Sequence, residues 1–186
     1  MRGEHDKASN MDTEVFNMAE LSHRPNMVRT QAKYTKMIDT LTMGDSVTAL
    51  EYARQALHYY DPADDQDAIA MYGSNPAITI RAWMALILQM LGYPEQAQAI
   101  FNESLTAARA SQHPYTLSNV LTFSWVMQLR GDVEAVYNLS TESMALATQY
   151  VFQSCQLMTM PVLGWAVAQH GQVSEGIAQM RYAMEG

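Results

Sequence analysis

Cysteine occurs once in 186 residues, at Cys155. A single thiol cannot close an internal disulfide, and its neighbours show no metal or redox spacing, so a reduced, cytoplasmic setting fits. Basic charge is scarce as well: 11 Lys+Arg face 19 Asp+Glu, a formal charge of −8. Nucleic acids and anionic membranes need a basic face, so neither is expected as the main partner. No run of about 20 apolar residues exists, and no membrane-spanning helix is expected. The longest apolar stretch, Ala82 to Leu91, is interrupted by Gln89. The N-terminal MRGEHDKASNMDTE lacks the apolar segment of a signal peptide. Residues 1–11 read instead as a disordered lead-in.

Catalytic signatures are missing too. There is no phosphate-binding glycine-rich loop, no nucleophile elbow and no zinc spacing. The five histidines, His5, His23, His58, His113 and His170, are scattered. Asp61, Asp64, Asp65 and Asp67 form one acidic cluster. It lacks the central glycine and terminal glutamate of a calcium loop, which favours a solvated, capping role. No enzyme activity, metal or cofactor is expected.

What is present is a glycine that returns in one setting. Gly44, Gly92, Gly131 and Gly171 lie in MGDSVTAL, LGYPEQAQ, RGDVEAVY and HGQVSEGI, at spacings of 48, 39 and 40. An apolar helical segment precedes each glycine and a second one follows, with a small or slim residue five positions on: Ala49, Ala97, Val136, Gly176. A period near 40 with two helices per unit marks an α-solenoid, a fold in which stacked units share one core. At 48% hydrophobic, the chain can bury such a core.

The pattern predicts helices near 12–22, 27–43, 46–60, 76–91, 94–111, 115–130, 133–150, 154–170 and 173–184. Residues 12–186 then form one domain, with an insertion at 61–75 that accounts for the longer first spacing and holds a short helix near 68–72. Asp45 and Asp132, beside the glycines, suit helix caps. Pro94 and Pro114 suit first helical turns. Pro161 falls inside SCQLMTMPVLGWAVAQ, where it should kink the helix or mark its true start.

Counted from each glycine, the units resemble the tetratricopeptide repeat. The small residue of that repeat, seven before the glycine, is matched by Ala85, Ser124 and Gly164, with Met37 the departure. The large apolar residue eight before it is matched by Met84, Phe123 and Leu163 but not by Lys36. The alanine-like position twelve after it carries Ala56, Ser104, Ser143 and Ala183. The resemblance implies an all-α, right-handed superhelix of about four helix pairs. From Tyr52 onward, strings such as HYYDPADDQDAIAMYGSNPAI, LGYPEQAQA and GWAVAQHGQVSEGIAQMR look like the C-terminal repeat region of large bacterial regulators. Those proteins carry signalling-ATPase and nucleotide-cyclase or DNA-binding modules elsewhere. That likeness implies a bacterial sensing or scaffolding arm with no enzymatic module of its own.

In the repeat family the first helix of each pair lines a concave groove. Transferring its exposed positions picks out Tyr34, Trp83, Leu86, Gln89, Leu121, Trp125, Gln128, Trp165 and Gln169 as candidate binding residues. All three tryptophans fall on this face, which carries no charge. Two readings stay open. The tryptophans can be packed between neighbouring first helices, or they can line an amphipathic groove for a protein segment or an apolar small ligand. The cations that grip a terminal carboxylate in peptide-clamp members are missing. Fifteen methionines fill an irregular core or make a binding surface adaptable. In the last helix, Ile177, Met180 and Met184 form an apolar stripe, so a homo-oligomer through the C-terminal end is a further expectation. The favoured role is non-catalytic interaction. A small-molecule-sensing arm and a structural oligomerisation module are the alternatives.

Overall fold

The computed structural model describes Ala19 and residues 22–185. The lead-in at 1–11, and the leading helix expected near 12–22 apart from Ala19 and Ser22, lie outside the described residues. The rest is all-helical. In chain order the elements are α1 (Pro25–Thr42), α2 (Ser46–Tyr59), a 3-10 turn (Pro62–Asp64), α3 (Asp65–Tyr72), α4 (Pro76–Met90) and α5 (Pro94–Ala110). These are followed by α6 (Pro114–Thr122), α7 (Trp125–Leu129), α8 (Val133–Gln149), α9 (Gln153–Gln169) and α10 (Val173–Glu185).

They pack as four pairs: α1 with α2, α4 with α5, α6–α7 with α8, and α9 with α10. Each second helix also leans on the next first helix. First helices touch their counterparts in the next pair, α1 to α4, α4 to α6–α7 and α6 to α9, whereas α2, α5, α8 and α10 do not pack on one another to that extent. A stack whose first helices lie closer than its second helices is curved, with the first helices inside. This is the tetratricopeptide-like solenoid architecture.

The recurring glycine has a backbone cause. Gly44, Gly92, Gly131 and Gly171 have φ of +88°, +84°, +76° and +91°, a region that side chains disfavour. In each case the following residue donates its N–H back over the helix end, Asp45 to the Thr40 carbonyl, Tyr93 to Leu88, Asp132 to Met127 and Gln172 to Val167, at 2.9–3.2 Å. That pattern satisfies carbonyls which the helix leaves unpaired. Asp45 and Asp132 then cap the next helix, each accepting from the backbone N–H three residues on at 3.0 Å.

Small residues at the crossings let each pair close. Ala49, Ala53 and Ala56 on α2 and Ala97, Ser104 and Ala108 on α5 are buried. Hydroxyls tie the crossings together: Ser104 donates to the Ile78 carbonyl at 2.8 Å, Ser143 to Ser118 at 3.3 Å, and Thr30 to Ala56 at 3.4 Å. In the last pair the contact is backbone on backbone. A Cβ at Gly164 would sit 2.7 Å from the Gly176 carbonyl oxygen.

Two elements depart from expectation, and one of the two alternatives for Pro161 is excluded. The helix expected over 115–130 is broken at Phe123–Ser124. There the N–H groups of Phe123 and Ser124 bond three residues back, to Val120 and Leu121, and those of Val126 and Met127 to Phe123 and Ser124. Thr122 Oγ1 donates to the Asn119 carbonyl at 2.6 Å and Ser124 Oγ meets Ser140 Oγ at 3.0 Å. Short polar side chains that compete for backbone partners tighten a helix in this way. Pro161 does not mark the start of its helix, since α9 runs from Gln153 to Gln169 with the proline inside, which leaves the kink as its expected effect. The insertion helix α3 is longer than the 68–72 expected.

The turn after α8 carries a mismatch. Val151 has φ +58° and is 70% exposed. A β-branched residue in this region is strained by about 1–2 kcal/mol, and little packing is lost by removing its side chain. Val151→Gly should raise stability by about 0.5–1 kcal/mol after glycine's entropy cost, and Val151→Asn by a similar amount. A thermal melt showing either variant less stable would contradict the strain.

Candidate functional site

The candidate residues occupy successive first helices and do not share one environment. Tyr34, on α1, is half-buried, and its hydroxyl accepts a hydrogen bond from Trp83 Nε1 of α4 at 3.2 Å. Trp83, also half-buried, meets Phe123 edge-on, with ring centroids 4.8 Å apart and planes at 79°. The arrangement suits aromatic quadrupoles. Trp125 and Trp165 are half-buried and rest against the same core. The three indole rings make no ring contact with one another among the described residues. Gln128 is half-buried and Gln169 exposed.

Leu86 and Leu121 depart from their assignment to an open face. Leu86 is 6% exposed and Leu121 is 0% exposed. The neighbouring face positions Thr79, Ala82, Ser118, Thr122 and Val162 are buried as well. The cause is the close contact between first helices, which shuts positions that a shallower curve would leave open. These two leucines are core, and the accessible part of the face is carried by the half-buried tryptophans, Tyr34 and the glutamines.

Two polar atoms in the middle of this face have no partner. Trp125 Nε1 and Gln89 Oε1 are both buried and make no hydrogen bond. Such groups cost about 1–3 kcal/mol each when unsatisfied.

The largest change from the sequence reading is a cavity of about 230 Å³ at the N-terminal ends of the first helices. Gln31 and Tyr34 of α1, Thr79 of α4, and Tyr115 and Asn119 of α6 line it, the insertion adds Tyr72 and Ser74 to its wall, and one side is open to solvent. No charged side chain lines this space. Burial pushes the Tyr34 phenol up from its ordinary pKa, and the Tyr72 phenol likewise. Both are therefore neutral hydroxyls at physiological pH. Tyr115 and Asn119 stand 16 and 12 residues before Gly131, outside the register positions used to pick the face. Tyr72 and Ser74 belong to the insertion, which has no repeat register. The available signal was the tyrosine content of the insertion and its flanks.

The acidic cluster is occupied structurally. Asp61 caps the backbone N–H of Ala63 at 2.9 Å, Asp65 accepts from the Tyr60 hydroxyl at 2.8 Å, and Asp64 and Asp67 pair with Arg24. Burial, and then the bond to Asp65, push Tyr60 up to about 12. Among the described residues no three His, Cys, Asp or Glu side chains gather as a metal site. His113 caps α6, its Nδ1 accepting from the Thr116 N–H at 3.2 Å. Within the same residues no helix is long and apolar enough to cross a membrane.

No protein-family model matches the chain, and no curated protein matches it. In structure it is similar to BtubC (BKLC) from P. vanneervenii, with a TM-score of 0.68 and 17% identity, over 99% of this chain and 73% of that chain. At that identity the likeness bears on the fold alone, which is the tetratricopeptide-like, all-α solenoid described above.

Proposed function

We propose that the chain is a non-catalytic interaction domain whose first-helix face receives an uncharged, largely apolar protein segment. The observation that carries this reading is the half-buried row Trp83, Trp125 and Trp165, with an unsatisfied indole N–H and an unsatisfied carboxamide oxygen at its centre. Tryptophans are frequent anchors of binding energy, and a small shift of the Trp125 and Gln89 side chains on docking would let an extended segment satisfy the two buried groups. The missing cations argue against capture of a chain-terminal carboxylate. A place as a sensing or scaffolding arm of a bacterial signalling regulator in the cytoplasm rests on the string resemblance and is part of the same proposal.

The test is selection of displayed peptides against the full chain. Uncharged, apolar sequences should be enriched, and their binding should weaken in Trp125→Ala and Trp165→Ala. Enriched peptides that bind both variants undiminished would remove the reading.

Self-association through α10 is a second reading, supported by the exposure of Ile177, Tyr182 and Met184. Sedimentation should show a concentration-dependent dimer that Ile177→Glu abolishes. A strict monomer at high concentration rejects it.

A further inference from the structure

The cavity at the N-terminal ends of α1, α4 and α6 is a place where unspent hydrogen-bonding groups converge. Gln31 and Asn119 line the space, and their carboxamides make no hydrogen bond among the described residues; Asn119 Oδ1 is turned away from solvent and has no partner, so a rotation of its carboxamide is needed to present that oxygen to an occupant. The hydroxyls of Tyr72 and Tyr115 are likewise unbonded among these residues. The Tyr34 hydroxyl accepts from Trp83, which leaves its own proton to donate elsewhere. Only Ser74 and Thr79 spend their hydroxyls on each other, at 3.2 Å. Two carboxamides and three phenols, from helices far apart in sequence, thus share one space.

The chemistry of the lining selects the occupant. Phosphates and carboxylates are disfavoured, because no cation lines the cavity and the chain carries −8. Ammonium groups are disfavoured for want of a carboxylate in the lining. A purely apolar ring would strand the carboxamides and phenols. An apolar cavity of about 150 Å³ holds benzene, so a cavity of about 230 Å³ has room for a two-ring system. Carboxamides pair edge-on with bases, and aromatic side chains take their faces.

We propose that this cavity binds a free, uncharged nitrogen base of purine size, as base or nucleoside. The site adjoins the tryptophan row and shares Tyr34 with it, but its occupant is a small molecule, and binding of a base is measured apart from segment binding.

Titration calorimetry of the full chain with adenine, hypoxanthine, adenosine and guanosine tests it, beside adenosine monophosphate, indole and a single-stranded oligonucleotide. At least one base or nucleoside should bind with a dissociation constant below a millimolar. The monophosphate should bind at least about tenfold more weakly, since nothing pairs with its phosphate. Indole should also bind more weakly, because one N–H leaves most of the lining unsatisfied. Asn119→Leu should lower affinity at least about tenfold without loss of melting temperature, as it removes an orphaned polar atom. Gln31→Leu is the second variant should that one misfold. Trp83 emission should shift on binding, through its bond to Tyr34. The proposal is overturned if no base or nucleoside binds at millimolar concentration. It is equally overturned if the monophosphate, the oligonucleotide or indole binds as well as the bases, or if both carboxamide variants bind undiminished.

Discussion

Gly164→Leu should lower the melting temperature by about 6–12 °C, corresponding to about 3 kcal/mol of overpacking. The position has no room for a side chain. A Cβ there would lie 2.7 Å from the Gly176 carbonyl oxygen, 3.0 Å from Met180 Cγ and 3.2 Å from Gln179 Cβ. The first of these is backbone of α10 and cannot swing aside. On the other helix, a Cβ at Gly176 would approach Ala168 Cβ and its backbone nitrogen at 2.8 Å. The two glycines are therefore one contact, and Gly176→Ala should reproduce a large part of the loss. Because stability in a stack is summed over units and their interfaces, the damage should be greatest in α10. Limited proteolysis should cut α10 first, ahead of global unfolding. A melt that is unchanged in Gly164→Leu would show that the last pair does not cross at these residues.

The second large effect is expected at Trp125, and it separates packing from recognition. Its ring is half-buried against the core, while its indole N–H has no acceptor. Truncation to alanine should cost about 2 kcal/mol of stability, less than a fully buried tryptophan would. It should weaken binding of a selected peptide by about 2 kcal/mol or more, roughly thirtyfold. Trp125→Phe divides the two contributions. It keeps most of the apolar area and removes only an unsatisfied donor, so the free protein should stay as stable, and peptide affinity should still fall. If Trp125→Phe binds as tightly as the parent, the N–H has no role in recognition. If Trp125→Ala unfolds the chain, the ring is core and the segment reading loses its centre.

Much of the architecture was legible because one backbone requirement recurs. A helix that must end and turn needs a residue at positive φ, and glycine at that point is visible in the sequence four times over. The same rule fails at the turns that end the second helices. Gln112 and Val151 adopt φ of +53° and +58° there without glycine, so nothing in composition announces them. The break at Phe123–Ser124 was hidden for another reason. Ser124 stands in an apolar helical pattern, and what stabilises the turn is Ser140, from the facing helix, at 3.0 Å.

The exposure of the first-helix face was less legible than the fold. Position within a unit predicts which side of a helix points inward, and Trp83, Trp125 and Trp165 are indeed half-buried on successive first helices. Whether that side stays open depends on the distance between units, which periodicity does not encode. Leu121, at 0% exposure, shows the consequence. The cavity was further out of reach. It is assembled from residues of α1, α4 and α6 together with Tyr72 and Ser74 of the insertion, a segment with no counterpart in the other units.

The first-helix face carries no ionised side chain at its register positions, and this has a kinetic consequence. A partner docking there gains no long-range attraction, so encounter should proceed at the unsteered rate of about 10⁵–10⁶ M⁻¹s⁻¹. Salt, which screens charge over about 8–10 Å at physiological strength, has little there to screen. The complex should therefore form slowly, hold its affinity as ionic strength rises, and owe its lifetime to slow dissociation of buried aromatic contacts.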